Sequence, residues 1–193
     1  MFWGKKDASV NFCEDKYSKS QYIAEYNNTL SCLFYLVPAI LYRKTKIKNI
    51  SVCLFFLAIG SMLLHGTLRY YGQWLDEISM LSLSYMTIKE FKPRIPNDFF
   101  ILIVGAYLWF WNTFCIFFIL FTVMQIIIVM EARKNIKEKN KLFVNTYIIL
   151  FLFGAICWFL DQFACSYVKQ YNLHAWWHFF TAASMTTGYY VLL

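Results

Sequence analysis

Residues 98–131 decide the fold, and they read DFFILIVGAYLWFWNTFCIFFILFTVMQIIIVME. An acidic residue stands at each end, and nothing between them carries a formal charge. A helix needs about 20 apolar residues to cross the hydrocarbon core of a bilayer. The stretch is therefore too long for one comfortable span and short for two, and the flanking charges must decide between these possibilities.

Basic residues lie on both sides of this stretch. Three precede it and five follow it: Lys89, Lys92, Arg94, Arg133, Lys134, Lys137, Lys139 and Lys141. Loops rich in Lys and Arg remain on the cytoplasmic side of a membrane. The two basic loops share that side only if the stretch crosses twice, so we predict spans at about 98–112 and 114–130, with a tight turn at Trp111-Asn112-Thr113.

Five further apolar runs complete the pattern, at about 23–42, 50–68, 74–88, 142–162 and 173–193. Backbone groups in hydrocarbon must be satisfied within their own segment, so the runs are predicted as helices. The alternation of a membrane barrel is absent. We expect an all-α bundle of seven transmembrane helices forming one domain over residues 1–193. Residues 1–22 contain no apolar stretch of signal-peptide type and are predicted as a lumenal segment, with the C-terminus cytosolic.

The composition supports a membrane protein and excludes other classes. Sixty per cent of the residues are hydrophobic and 15% are charged, whereas soluble domains have about 25% charged residues. Disorder requires low hydrophobicity and is excluded. The net charge of +7 does not indicate a nucleic-acid partner, because 12 of the 18 Lys and Arg residues fall in the three predicted cytosolic loops.

The three histidines of the chain fall at one predicted depth in the membrane. His65 lies near the lumenal end of the second run, and His174 and His178 lie at the start of the last. Residues four apart share one helix face. Three protein ligands with an open fourth position are typical of catalytic zinc. The alternative is that these histidines are hydrogen-bonded packing residues.

Carboxylates and a hydroxyl are predicted near the histidines. Asp76 and Glu77 begin the third run, Asp161 ends the sixth, and Ser61 lies one turn before His65. Metal-assisted hydrolysis needs an acidified water, a group that moves protons and a donor to the oxyanion. Asp76 and Ser61 fit the last two roles, and Asp161 or Glu77 could orient an imidazole. Taken singly, Ser61 could bond to its own helix and Asp76 could be a helix N-terminal charge.

Two further groups are expected on the lumenal side. Oxygen-bearing residues near the N-terminus suit Ca²⁺ or form a solvated acidic tail: Asn11, Glu14, Asp15 and Glu25. Cys13 and Cys165 are expected where disulfides can persist. The remaining cysteines are predicted to be small buried hydrophobic residues: Cys32, Cys53, Cys115 and Cys157.

Several of these motifs resemble the alkaline ceramidases. They are GSMLLH at 60–65, LDE at 75–77, HAWWH at 174–178, NFCEDKY at 11–17, YIAEY at 22–26 and WFLD at 158–161. The resemblance implies a seven-helix intramembrane zinc amidase that hydrolyses ceramide to a sphingoid base and a free fatty acid. It assigns zinc to His65, His174 and His178 and catalytic roles to Asp76 and Ser61. It also pairs Cys13 with Cys165.

The resemblance further implies a structural calcium ion on the N-terminal segment. The family's ligand positions fall on Asn11, Phe12 (through its carbonyl), Glu14, Lys16 and Glu25. The family normally has Asp at the first and Asn at the fourth of these positions. We therefore expect calcium to be weakened or absent, with the Lys16 ammonium near Glu14 or Glu25. The family also usually continues beyond the last helix with a cytosolic tail, which we do not see in this sequence.

Two alternatives to a ceramidase remain open at this point. One is a seven-helix zinc-containing receptor of the adiponectin/progestin-receptor type, and the other is a membrane protein whose histidines only pack. Metal content separates the second alternative from the others, and lipid hydrolysis separates the enzyme from the receptor. The enzyme is expected to be a monomer in the endoplasmic reticulum or Golgi membrane with ceramide as its substrate.

Overall fold

The computed structural model describes residues 2–110, 113–135, 137 and 140–193, and within these ranges it contains helices and no strands. The α-helices are α1 (Tyr26–Ser31), α2 (Leu36–Tyr42), α3 (Lys48–Thr67), α4 (Tyr70–Phe91), α5 (Asn97–Trp109), α6 (Phe114–Asn135), α7 (Lys141–Phe163), α8 (Cys165–Val168) and α9 (Leu173–Gly188). Short 3₁₀ segments join α1 to α2 (Cys32–Tyr35), follow α8 (Lys169–Tyr171) and follow α9 (Tyr189–Leu192).

The helices coincide with the predicted apolar runs. The first run forms α1, a 3₁₀ turn and α2, and α5 and α6 are separate helices as the charge pattern predicted. Of the predicted turn between them, Trp111 and Asn112 lie outside the described residues. Among the described helices, α3, α6 and α7 are long and apolar enough to cross a membrane. The seven crossings and the orientation of the termini remain predictions.

Helices α3 and α4 cross in close contact. A Cβ atom on Gly60 would lie 2.6 Å from the backbone nitrogen of Asp76, and one on Gly72 would lie 2.5 Å from that of Leu64. No real side chain tolerates such distances, so both crossing points require glycine. The contact places Ser61, which follows Gly60, beside Asp76.

Two apolar clusters hold the bundle together. One joins α2, α3 and α9 and contains the buried residues Ile50, Leu54 and Ala182. The other joins α4, α5, α6 and α7 and contains Leu81 and Met124. Large apolar side chains also cover much of the outer surface of α5, α6 and α7, as expected for helices that face lipid.

The N-terminal segment, residues 2–25, is irregular and folds over the end of α3. The carbonyl of Leu68 accepts the N–H groups of Asp7 and Ala8 at 3.3 and 3.2 Å, and the N–H of Glu25 donates to the carbonyl of His65 at 3.0 Å. A disulfide joins Cys13 to Cys165, with 5.4 Å between the Cα atoms. The pairing implied by the resemblance is therefore present, and it fixes this segment above the histidines.

Candidate active site

The structure brings the three histidine rings together. Their centroids are 4.8 Å apart for His65 and His174, 5.1 Å for His65 and His178, and 4.6 Å for His174 and His178. All three side chains are buried. The ring of Phe12 covers the cluster, 4.6 Å from the ring of His65 and 4.0 Å from that of His174. The N-terminal segment thus closes the cluster on one side.

Two of the rings are oriented through one nitrogen. The Nδ1 atom of His65 lies 2.6 Å from Glu25 Oε2, and Nδ1 of His178 lies 2.7 Å from Ser31 Oγ. The Nε2 atoms of both rings are therefore left for another partner. Nδ1 of His174 is buried and has no hydrogen-bond partner among the described residues.

The prediction that Asp161 or Glu77 would orient an imidazole ring was wrong. The Asp161 carboxylate accepts the backbone N–H of Cys13 at 3.1 Å, so it binds the backbone of the N-terminal segment rather than an imidazole ring. Glu77 accepts a hydrogen bond from Gln73 at 2.9 Å on its own helix. Glu77 lines the same cavity as Asp76, but its Oε1 atom is engaged with Gln73 rather than with an imidazole ring.

Ser61 and Asp76 lie beside each other at the crossing of α3 and α4. The Oδ1 atom of Asp76 is nonetheless buried without a partner in the described part of the chain. A buried carboxylate oxygen without a partner is costly unless a ligand or substrate completes it. Both predicted catalytic side chains line the same cavity as His174 and His178.

Cys32 is a member of this cluster that the sequence did not reveal. It was predicted to be only a small buried hydrophobic residue, but its thiol lies 3.7 Å from Nδ1 of His178. Cys32, His65 and His178 offer ligand atoms within 4.8 Å of one another. No clear signal for it is present in the sequence, because Cys32 begins the 3₁₀ segment that follows α1 and is four residues from Asn28 rather than in register with a histidine.

The donor chemistry of the cluster fits zinc. Neutral imidazole and thiolate are the ligands that Zn²⁺ prefers, and the buried, unpartnered Nδ1 of His174 is a free donor beside two rings already oriented by other groups. Two ligand sets are possible, and both contain His65 and His178. His174 completes one set and Cys32 the other.

A cavity of about 480 Å³ opens beside the cluster. Ser61, Asp76, His174 and His178 line part of it. Its walls are mainly aromatic and aliphatic side chains from α6 and α7, including Phe114, Phe117, Phe121, Ile126, Val129, Phe151, Leu152 and Trp158. The cavity is therefore mostly apolar, and we call the part lined by these four polar side chains its polar end.

The predicted calcium positions are filled by protein donors. As expected, the Lys16 ammonium contacts Glu25, and it also donates to the Phe12 carbonyl at 2.7 Å. Lys6 donates to Asn11 Oδ1. The two oxygens of Glu14 accept the backbone N–H groups of Asn27 and Asn28, while Asp15 pairs with Lys169 away from this group.

Buried imidazoles beside a carboxylate and a hydroxyl, at the polar end of an apolar cavity between helices, are a constellation suited to hydrolysis within a membrane protein. The ceramidase family model matches residues 4–193. The chain is 31% identical to the alkaline ceramidase of Arabidopsis thaliana over 93% of its own length and 80% of that protein. Identity is 27% to alkaline ceramidase YPC1 of Saccharomyces cerevisiae (93% and 73%) and 24% to alkaline ceramidase 1 of Mus musculus (95% and 78%). The chain belongs to the ceramidase family.

Proposed function

We propose that this protein is a zinc-dependent membrane amidase that hydrolyses the N-acyl amide of ceramide to a sphingoid base and a free fatty acid. The observation that carries the proposal is the unpaired Oδ1 of Asp76 beside Ser61 at the polar end of the apolar cavity. Relatives named alkaline ceramidases, which match over most of the chain, support the choice of substrate.

The shape of the cavity suits a lipid amide. Its volume of about 480 Å³ lies in the usual range for small-molecule sites, about 300–1,000 Å³. The aromatic and aliphatic walls match hydrocarbon chains. The amide of such a lipid would lie at the polar end, the part of the cavity where Asp76 and the histidines converge.

The histidines would hold the metal, with His65, His174 and His178 as the proposed ligand set. Zinc bound there would polarise the amide carbonyl and acidify a water molecule. Glu25 and Ser31 fix the orientation of two of these rings through Nδ1. A ring that is held in this way leaves its other nitrogen aimed for a ligand and loses little entropy on binding.

Asp76 is proposed to move the protons. Its free Oδ1 accepts a proton from the water whose oxygen bonds to the carbonyl carbon. When the C–N bond breaks, the same carboxyl group returns this proton to the departing nitrogen, which leaves as the amine of the sphingoid base. We assign the oxyanion to Ser61, whose side chain lies beside Asp76. Once Asp76 has taken up the proton, the single O–H of Ser61 would turn to the negative charge that forms on the carbonyl oxygen.

The test is the Asp76→Asn variant, which keeps the shape of the side chain and removes its basicity. We expect fatty-acid release from ceramide to fall by a factor of about 10²–10⁴, while the zinc content of the purified protein stays at the parent level. Asp98→Asn makes the same chemical change in the first turn of α5, on the side predicted to be cytosolic. This control should hydrolyse ceramide at the parent rate.

Two results would contradict the proposal. Parent-like hydrolysis by Asp76→Asn would remove Asp76 from its proton-transfer role. A parent protein that retains stoichiometric zinc but releases no fatty acid from any of several ceramides would instead favour the receptor-type alternative.

A further inference from the structure

The N-terminal segment carries positive charge at the place where the family resemblance implies a calcium ion. Lys16 is a partly buried cation whose ammonium touches the carboxylate of Glu25, a side chain that is fully buried. A buried carboxylate needs a partner of opposite charge, because the loss of hydration is otherwise uncompensated. Lys16 supplies this charge from within the chain.

The oxygen atoms that a calcium ion would use are already engaged. Asn11 Oδ1 accepts from Lys6, and the Phe12 carbonyl accepts from Lys16. Glu14 accepts two backbone N–H groups at the start of α1 with both of its oxygens. Calcium requires six to eight oxygen ligands, and binding here would have to displace these donors.

The local charges also oppose a divalent cation. Two ammonium groups, those of Lys6 and Lys16, stand among three carboxylates, those of Glu14, Glu25 and Asp161, so most of the negative charge is already compensated from within the chain. Burial, followed by repulsion from Lys16, lowers the pKa of Lys6. A calcium ion would add two further positive charges. The residues therefore do not fit calcium.

Glu25 links this group to the histidine cluster. Its Oε1 atom meets Lys16, and its Oε2 atom meets His65 Nδ1 at 2.6 Å and accepts from Asn28 Nδ2 at 3.1 Å. The Lys16 ammonium on Oε1 therefore helps to fix the position of Oε2, the Glu25 oxygen that orients the His65 ring. Loss of the ammonium would remove the cation that contacts Glu25 and leave its contacts with His65 and Asn28.

We propose that the Lys16 ammonium takes the place of a structural calcium ion in this chain, holding Glu25 against His65 so that the fold is independent of calcium. The inference concerns the stability and cation binding of the N-terminal segment. It does not depend on ceramide turnover, so failure of the proposed function would leave it intact.

The experiment uses the purified full chain in detergent micelles, stripped of divalent cations and reloaded with zinc. The apparent Tm and bound calcium are measured with and without about 1 mM Ca²⁺, a concentration that saturates many extracellular calcium modules. For the parent we expect no bound calcium and no shift in Tm. Lys16→Met removes the charge but supplies no oxygen, so its Tm should fall by about 10 °C, and calcium should not restore it.

The double variant Asn11→Asp with Lys16→Asn restores the oxygen ligands that the resemblance implies. Its Tm should be low without calcium and should rise by about 5 °C or more with calcium. Lys19→Met is the matched control, because the exposed Lys19 donates to Asn27 Oδ1 at 2.7 Å and lies over the Tyr26 ring, outside the predicted calcium positions. It should behave as the parent does.

Three outcomes would overturn the proposal. The first is calcium binding by the parent with a rise in its Tm. The second is a Lys16→Met protein as stable as the parent, which would show that the ammonium is not structural. The third is a folded double variant that binds no calcium and whose Tm does not change with calcium, which would show that Lys16 does not occupy a cation position.

Discussion

Cys32 and His174 are the two candidates for the third ligand beside His65 and His178. The thiol of Cys32 donates to the Asn28 carbonyl at 3.0 Å, and the His178 nitrogen within 3.7 Å of it is the one that Ser31 already holds. His174 has a buried nitrogen without a partner among the described residues. We therefore expect Cys32→Ala to retain zinc and His174→Ala to lose it, as measured by metal analysis of purified, monodisperse protein.

Cobalt substitution gives an independent view of the same choice. Co²⁺ bound only by imidazole and oxygen lacks the near-ultraviolet charge-transfer band of a thiolate ligand, so we expect no such band in the parent. A strong band that disappears in Cys32→Ala would assign the ligand set to Cys32, His65 and His178 instead.

These residues also show what the sequence could predict about the site. His174 and His178 are four apart on one helix, so their pairing follows from helix geometry alone. The contacts of Glu25 with His65 and of Ser31 with His178 join residues 40 and 147 positions apart. They depend on how the N-terminal segment and α1 pack against α3 and α9, and no periodic pattern in one sequence encodes that packing.

At the scale of helices, the contact between α3 and α4 controls the geometry of Ser61 and Asp76. In Gly60→Ala the new Cβ would meet the backbone at Asp76 and Leu75, at 2.6 and 2.7 Å, and backbone cannot rotate away. The helices must separate. We expect the apparent Tm to fall by about 2–10 °C and ceramide hydrolysis to fall by about 100-fold, since small displacements of catalytic groups are costly.

Gly105→Ala is the control for this change. A Cβ at Gly105, in the middle of α5, would meet nothing within 4 Å, so the substitution should leave both the Tm and the hydrolysis rate close to those of the parent. A Gly60→Ala protein with parent-like activity would show that the tight crossing does not position Ser61 and Asp76.

For the whole molecule, the sequence predicted where helices lie better than it predicted their internal form. Long apolar runs and charged loops located every main helix, because both reflect the partition of the chain between lipid and water. The division of the first run into α1, a 3₁₀ turn and α2 has no such origin. It lies where Asn28 contacts Glu25 and where Ser31 and Cys32 contact His178, so these residues face the histidine cluster and not lipid.

The predicted orientation of the chain rests on its basic loops and can be tested with glycosylation tags, which are modified only in the lumen. Separate tags at the N-terminus, between Arg43 and Lys48, and at Lys137 would each be compared with the untagged chain by mobility before and after deglycosylation. We expect modification of the N-terminal tag alone, because the loops at 43–48 and 131–141 are rich in Lys and Arg. If residues 98–131 crossed the membrane once, the Lys137 tag would be modified as well. That result would place the loop after α6 in the lumen and contradict the charge pattern that predicts separate spans for α5 and α6.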